Sequence, residues 1–387
     1  LTYYCSFLIV ASREGDFRVD ADVIIIGAGV VGAALAYGIA KTGRTVVVLD
    51  GGDRDLRAAR ANFGLVWVQG KGTNAPAYGL LTRQSSELWP DFRNELANRS
   101  TMALDYSRPG GLAFCLSEKE YENRAAINER THNQGAEADT VMVDRPELER
   151  MLPALTLGPD VVGASYCKLD GHVNPLQLLA SLHHAIPSMG GKIVFRNPVE
   201  KIVPVASGFN IIAAQGTLQA PRVIVAAGLA TPTLTEPLGL SVPLRSERGQ
   251  ILVTERLAPI LPFPGSGLRQ SADGTIMIGA TNENVADIGV TVSSATHLAR
   301  RAMRIVPALG SARLVRQWAG MRVLPLDKTP IYAESLDYPG LFAVACHSGV
   351  TLAAAHAAMI APAMANGHLP DQFAPFSNGR FNVQKCA

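Results

Sequence analysis

With 387 residues, 48% of them apolar, the chain has material for a large buried core and, by length, for two domains. Its 35 lysines and arginines nearly balance its 33 aspartates and glutamates, so no charge excess marks it for nucleic acid or an anionic membrane surface. The apolar stretch 350–365 contains His356 and Pro362 and is too short to span a bilayer, so it reads as a buried helix and no transmembrane segment is expected.

Residues 1–20 lack the basic start and small-residue cleavage site of a signal peptide and read as an N-terminal tail. Five cysteines, Cys5, Cys115, Cys167, Cys346 and Cys386, are scattered without a C-x-x-C pair. The odd count fits reduced thiols and a cytoplasmic location, and the spacing gives no obvious four-cysteine zinc or iron–sulfur site.

The stretch 22–50 organises the rest. An apolar run over 23–26 suits a buried parallel strand and breaks at Gly27-Ala28-Gly29-Val30-Val31-Gly32, a G-x-G-x-x-G pattern. Gly27 permits a sharp turn off the strand, Gly29 removes a side chain where a pyrophosphate would approach the backbone, and Gly32 lets the helix predicted over 31–42 lie close to the sheet. That helix would aim its unpaired N–H groups and positive dipole end at phosphates. A second strand, 45–49, ends on Asp50, 18 residues after Gly32, where a carboxylate can accept hydrogen bonds from a ribose diol and repel a 2′-phosphate. Strand, turn, helix and acid together favour an adenine dinucleotide over an ordinary structural turn, with FAD and NAD both open.

Further along, the loop 51–60 carries Arg57 and Arg60 as candidates for phosphates, solvated surface charge being an equally good account. It leads into Ala61-Asn62-Phe63-Gly64. The spacing of Leu80, Leu81, Leu88, Phe92 and Leu96 predicts a helix over 78–98, and Asp144 with Glu147 frames the start of a helix that stops near Pro153. A second α/β signal follows: a helix over 176–186, short strands at 192–195, 199–205 and 209–213, then 222–228, an apolar strand running into Gly228 and returning to the first sheet. Alternating runs at 250–254 and 275–278 predict antiparallel strands of a second domain, with a helix over 294–305. Near the end come Gly320-Met321-Arg322, a strand over 341–345, and His347-Ser348-Gly349-Val350 opening the last helix, whose N-terminus again suits cofactor oxygens.

Together, over nearly all of 22–365, these segments resemble the FAD-dependent D-amino-acid oxidase superfamily, especially its glycine and sarcosine oxidase branch. The run AARANFGLVWVQGKG at 58–72 is most similar to the FAD-bearing β subunits of multi-subunit opine and hydroxyproline dehydrogenases. The resemblance implies an α/β chain with a discontinuous Rossmann-like FAD-binding domain of glutathione-reductase type (21–75, 160–235 and 320–370). It also implies an α+β substrate domain on an antiparallel sheet (76–159 and 236–319) and a C-terminal tail (371–387). By the same resemblance, Gly27, Ala28, Gly29 and Gly32 hold the pyrophosphate and Asp50 binds the adenosine ribose; Arg60, from the basic loop, is counted with these cofactor-binding candidates. Ala61, Asn62, Phe63 and Gly64 lie along the ribityl chain and flavin, Val199 meets adenine by its backbone, and Ala227 and Gly228 pass the pyrophosphate. Gly349, Val350 and Thr351 stand at the flavin's pyrimidine edge, where a helix N-terminus stabilises charge on the reduced ring.

Arg322 matches the arginine of the family's G-x-R-P-like element, which grips the substrate carboxylate bidentately; a surface strand-end arginine is the bland alternative, and the usual following proline is Val323 here. Gly320 stands where sarcosine oxidases attach FAD through a cysteine, so non-covalent FAD is expected. Met277 stands where they carry an oxygen-activating lysine, which favours a dehydrogenase passing electrons to another carrier.

The expected reaction is FAD-dependent hydride removal from the C–N bond of an amino or imino acid or an opine, the imine then being hydrolysed. Arg322 would orient the substrate, and His347 would assist proton removal or merely pack. The chain is expected to be the FAD subunit of a hetero-oligomer whose other subunits carry FMN or an iron–sulfur cluster. A single-chain oxidase using oxygen, an NAD-linked dehydrogenase and a non-catalytic cofactor-bearing subunit are the alternatives.

Overall fold

The computed structural model describes residues 20–52, 58–132 and 139–382; the readings of 1–19 and of Arg57 lie outside the described residues. Val23–Ile26 is paired in parallel on both sides, with Val46–Leu49 and with Val223–Val225. The sheet grows to six strands through Lys192–Val194 at one edge and Leu341–Ala345 then Ile331–Glu334 at the other, the last being antiparallel to its neighbour. The central strands are buried along their whole length because both faces are covered. Val23, Ile25, Val46 and Val48 pack with residues of the helices Val30–Lys41, Pro76–Arg99 and Pro175–Ser188 and of the C-terminal helical run. Ile24, Ile26, Val47 and Leu49 pack on an antiparallel meander of Val199–Val205, Gly208–Ala213 and Gly216–Ala220. Alternate residues of each strand thus serve two different cores.

A second sheet is wholly antiparallel, in the order Leu268–Gln270, Thr275–Gly279, Leu244–Arg256, Leu314–Pro325. Leu252, Leu268, Ile276 and Ile278 share a core with Leu298, Ala302 and Ile305 of the helix Val292–Ile305, so that face of the sheet is covered. The other face points at the dinucleotide-type layer. Because Leu314–Pro325 is continuous through position 320 and is paired with Leu244–Arg256 along its length, a domain boundary at 320 would cut a single strand. Likewise Gly163–Cys167 sits between Gly111–Cys115 and Thr140–Asp144 in a small sheet, which ties 163–167 to the segment before 160.

The helix expected over 78–98 runs Pro76–Arg99, and Asp144 caps Arg145–Met151 by accepting from the Glu147 N–H at 2.9 Å. The last helix differs from a uniform α-helix: Ala353–Ala355 gives way to a π-helical stretch, His356–Ile360, before Ala361–Asn366. Pro362 has no N–H to close an α-helical bond, so the widened turn lies directly before it. From 371 to 382 the chain is docked, with Phe373 and Phe376 edge-on to the Tyr332 ring. Cys115, Cys167 and Cys346 are buried free thiols. Among the described residues no His/Cys/Asp/Glu group could hold a metal, and no helix is long and apolar enough to cross a membrane.

Candidate active site

The three fingerprint glycines do different work. A Cβ on Gly27, whose φ is 107°, would lie 2.4 Å from the Ala226 carbonyl oxygen, and one on Gly32 would lie 1.9 Å from the Gly27 oxygen. Both are demanded by the protein's own packing. Gly29 is not: it is extended, with φ −65° and ψ 175°, and its Cβ would meet nothing nearer than Ala59 Cβ at 3.9 Å. A glycine that the protein does not need for itself, at the N-cap of Val30–Lys41, leaves the helix N–H groups open to a phosphate. The cradle therefore fits a dinucleotide pyrophosphate.

Around this turn the structure gathers most of the sequence-derived candidates. Asp50 accepts from the Ala28 N–H and the Gly52 N–H, each at 2.8 Å, so its carboxylate braces the turn. Asn197 donates to the Asp50 carbonyl at 2.8 Å, which brings the strand that begins at Val199 alongside. Ala227 and Gly228 follow the strand that packs on Gly27, and Gly228 is left-handed at φ 61°. Gly349 arrives from the far end of the chain, its Cβ position 3.0 Å from the side chains of both Val30 and Val31. Arg60 is exposed at the rim. His183, which the sequence reading missed, meets the Ala28 carbonyl through Nε2 at 2.7 Å; burial pushes its pKa down.

The segment 61–67 crosses between the two sheets and is held from both sides. On one side Thr351 Oγ1 accepts from the Trp67 N–H at 3.1 Å and donates to the Leu65 carbonyl at 3.2 Å. The Thr351 carbonyl accepts from Ser85 and the Trp89 indole, and Tyr78 hydrogen-bonds Ser348 at 2.6 Å, so Pro76–Arg99 fastens the start of the last helix. On the other side the Trp318 indole donates to the Ala61 carbonyl at 3.3 Å and Arg269 Nε to the Phe63 carbonyl. Asn62 turns the segment by accepting from the Gly64 N–H at 2.7 Å, and Gly64 is left-handed at φ 86°.

Strand alternation puts Arg245, Glu247, Gly249 and Ile251 on the open face of the antiparallel sheet, opposite Leu324, Arg322, Gly320 and Trp318. Gly249 and Gly320 face each other, and the Arg322 guanidinium lies over Gly249, its Nη2 2.7 Å from where a Cβ would stand. Arg322 Nη1 donates to Glu247 and to Asn282, both at 2.7 Å; among the described residues its Nε and Nη2 carry no hydrogen bond. His347 has its pKa pushed down to about 3 by desolvation, with Lys71, Arg322, Lys328 and Arg245 lowering it further. Because the ring is solvent-accessible, the loss of water contributes less than full burial would, and the four cations carry the direction: the imidazole is neutral at neutral pH.

Met277 occupies the position read from sequence, yet a cation does lie against it. Arg269, its cross-strand partner, sets Nη2 2.8 Å from the Met277 sulfur. No sequence signal marks Arg269, Trp318 or Glu247, because each is defined by a partner far off in the chain: Phe63, Ala61 and Arg322.

A dinucleotide cradle joined to an antiparallel sheet that lays an arginine over a glycine of its open face defines a two-layer, dinucleotide-dependent oxidoreductase. A family model described as FAD dependent oxidoreductase matches residues 22–363, and the chain belongs to that family; its cofactor is FAD. It is 43% identical over 371 residues to a subunit of the opine oxidase of Agrobacterium tumefaciens (strain Ach5), covering 95% of this chain and 99% of that protein. The corresponding opine oxidase subunit of Rhizobium meliloti is 42% identical, again with 95% and 99% coverage. The crystal structure of glycine oxidase from Geobacillus kaustophilus superposes with a TM-score of 0.84 at 26% identity, over 92% of this chain and 98% of that one. The chain is thus an FAD-dependent oxidoreductase, and the NAD alternative falls away.

Proposed function

We propose that this chain oxidises the C–N bond of a carboxylate-bearing amino or imino acid, with an opine as the leading substrate class, as the FAD subunit of a hetero-oligomeric dehydrogenase. The observation that carries the reading is geometric: Arg322 lies over Gly249 on the open face of the antiparallel sheet, with Nη1 held by Glu247 and Asn282 and its other N–H edges without a hydrogen bond among the described residues. An arginine so placed suits a substrate carboxylate, and the opine class is supported by the two relatives named as opine oxidase subunits.

In this reading Gly27, Gly29, Gly32, Asp50 and Ala227–Gly228 would hold the dinucleotide, with 61–64 and 349–351 beside the ring. Bound FAD supplies the two-electron acceptor for the substrate's hydride. Arg322 grips the carboxylate through its two remaining N–H edges and so fixes which C–H is presented. His347 is held neutral by loss of water and by neighbouring cations that disfavour an imidazolium, so it can hydrogen-bond the substrate but not take the ammonium proton, and the amine enters in its neutral form. The segment 61–67, pinned by Thr351, Trp318 and Arg269, excludes bulk water from one side until the imine is released to hydrolysis. The hetero-oligomeric role is supported by two relatives that are each named as one subunit of an opine oxidase.

A second reading, a single-chain oxidase, is favoured by the cation that Arg269 brings to Met277 and by the likeness to glycine oxidase. One experiment separates them: anaerobic bleaching of the purified chain by an opine panel, then turnover with oxygen and with an artificial dye, alongside the native mass from the source. Bleaching with turnover by dye far above that by oxygen supports the hetero-oligomer. Rapid peroxide production by a lone homo-oligomer supports the second reading, and a flavin no opine or amino acid bleaches defeats both.

A further inference from the structure

Arg269 is a buried cation short of partners. It is 2% exposed, and among the described residues no carboxylate lies within ion-pair distance of it; Asp105 and Asp273 act on it only from farther away. Burial pushes its pKa down to about 10. Nε donates to the Phe63 carbonyl, Nη2 has only the Met277 thioether, a weak acceptor, and Nη1 is buried with no partner at all. His172, the nearby titratable ring, is itself held neutral, its pKa pushed down to about 4 by burial and by Arg269.

A buried guanidinium left short of acceptors and without a counter-ion is costly, and a fold that keeps one keeps it for a charge supplied from elsewhere. The position says which. Arg269 shares a sheet with Arg322, is paired with Met277 on the neighbouring strand, and reaches the carbonyl of Phe63 in the segment that crosses the cofactor cleft. The Phe63 ring centroid is 5.7 Å from its guanidinium carbon, and a Cβ on Gly64 would lie 3.1 Å from Nη2.

We infer that Arg269 is a positioning and charge-tuning residue for the flavin: it fixes the Phe63–Gly64 carbonyl turn and supplies the fixed positive charge that offsets the negative charge gained by the ring on reduction. The inference rests on the FAD reading of the cleft. Arg269 acts through the Phe63 carbonyl it holds and through space, in an interior where charges are weakly screened.

The test uses sulfite, which adds to an oxidised flavin to give an anionic adduct and bleaches its visible band. It is applied to the flavin-loaded full chain as wild type, Arg269→Lys, Arg269→Met and the double variant Arg269→Met/Met277→Lys. Expected is a sulfite Kd at least about tenfold weaker in Arg269→Met, the order expected on removing one buried unit charge, with the lysine variant and the double variant close to wild type. The flavin potential, read by equilibration with a reference dye, should fall in Arg269→Met and recover in the other two. Should Arg269→Met lose its flavin while both charge-retaining variants keep it, the inference also stands. Unchanged sulfite affinity and potential in a flavin-bearing Arg269→Met overturn it, as does loss of flavin from all three variants, because charge would then not be the property that matters. A wild-type chain that binds no flavin would instead defeat the reading of the cleft.

Discussion

Arg322 and Glu247 are register partners on adjacent antiparallel strands, with the arginine Nη1 2.7 Å from the glutamate Oε1 and both side chains about four-fifths shielded. The guanidinium thus already has a counter-ion, with Asn282 holding the same nitrogen, and in the proposed reading a substrate carboxylate would meet it in that state. Arg322→Ala should raise KM by a factor corresponding to about 2 to 4 kcal/mol while leaving FAD bound, since a charge-assisted clamp is lost. Glu247→Gln removes the competing carboxylate, so KM for an anionic substrate should fall several-fold. Steady-state kinetics on both variants decide the matter, and an unchanged KM in Arg322→Ala would take the arginine out of the site.

The glycines of the fingerprint separate by cause. Gly29→Ala places its methyl in open space at an extended backbone, so the apoprotein should fold and melt like wild type while flavin content drops sharply. Gly32→Ala drives a methyl to 1.9 Å from the Gly27 oxygen and should lower thermal stability or abolish soluble expression before any question of cofactor arises. Melting curves with and without added FAD distinguish the two.

The flavin should be released intact by acid precipitation and remain in the supernatant. Gly320 offers no attachment point, and the three described thiols, Cys115, Cys167 and Cys346, are buried, with burial raising the pKa of each. Yellow colour that stays in the acid pellet would contradict this.

Stability should decline as pH falls from about 6.5 towards 4. His356, fully buried with Nε2 3.0 Å from the Tyr332 hydroxyl, has its pKa pushed down to about 3 by desolvation, and His183 is lowered as well. An unfolded chain would take up protons near pH 6.5 that the folded chain refuses, so the stability these rings contribute is present above that pH and is lost below it. Asp170 works in the opposite sense: burial raises its carboxyl to about 7, so its contribution is lost as pH rises from its unfolded value. Urea midpoints across this range should show the histidine trend dominating, and His356→Gln should flatten the slope by about 1.4 kcal/mol per pH unit.

How much of this was readable in advance follows the chemistry of locality. The strand, glycine turn, helix and Asp50 lie within thirty contiguous residues, and each has a residue type that only its local geometry explains, so the dinucleotide layer was legible from 22–50. The strands 199–205 and 341–345, the cap at Asp144 and the return of Val223–Val225 beside the first strand were legible for the same reason: apolar runs and capping residues state their own environment. The last helix was legible as buried but not as widened before Pro362.

Opposite in kind are Glu247, Arg269, Trp318 and His183. Nothing beside Glu247 in sequence says that it faces Arg322, 75 residues on, and nothing beside Arg269 says that it reaches Phe63, 206 residues back. These relations exist only once the strands have chosen a register, because a slip of one residue would turn each side chain to the opposite face of its sheet. The sequence by itself determined a dinucleotide turn and the arginine to look for; the tertiary structure alone decided that this arginine has a glutamate against it and that a second, unpaired arginine stands behind the cofactor segment, since cross-strand pairing is a property of the assembled sheet and not of any stretch of chain.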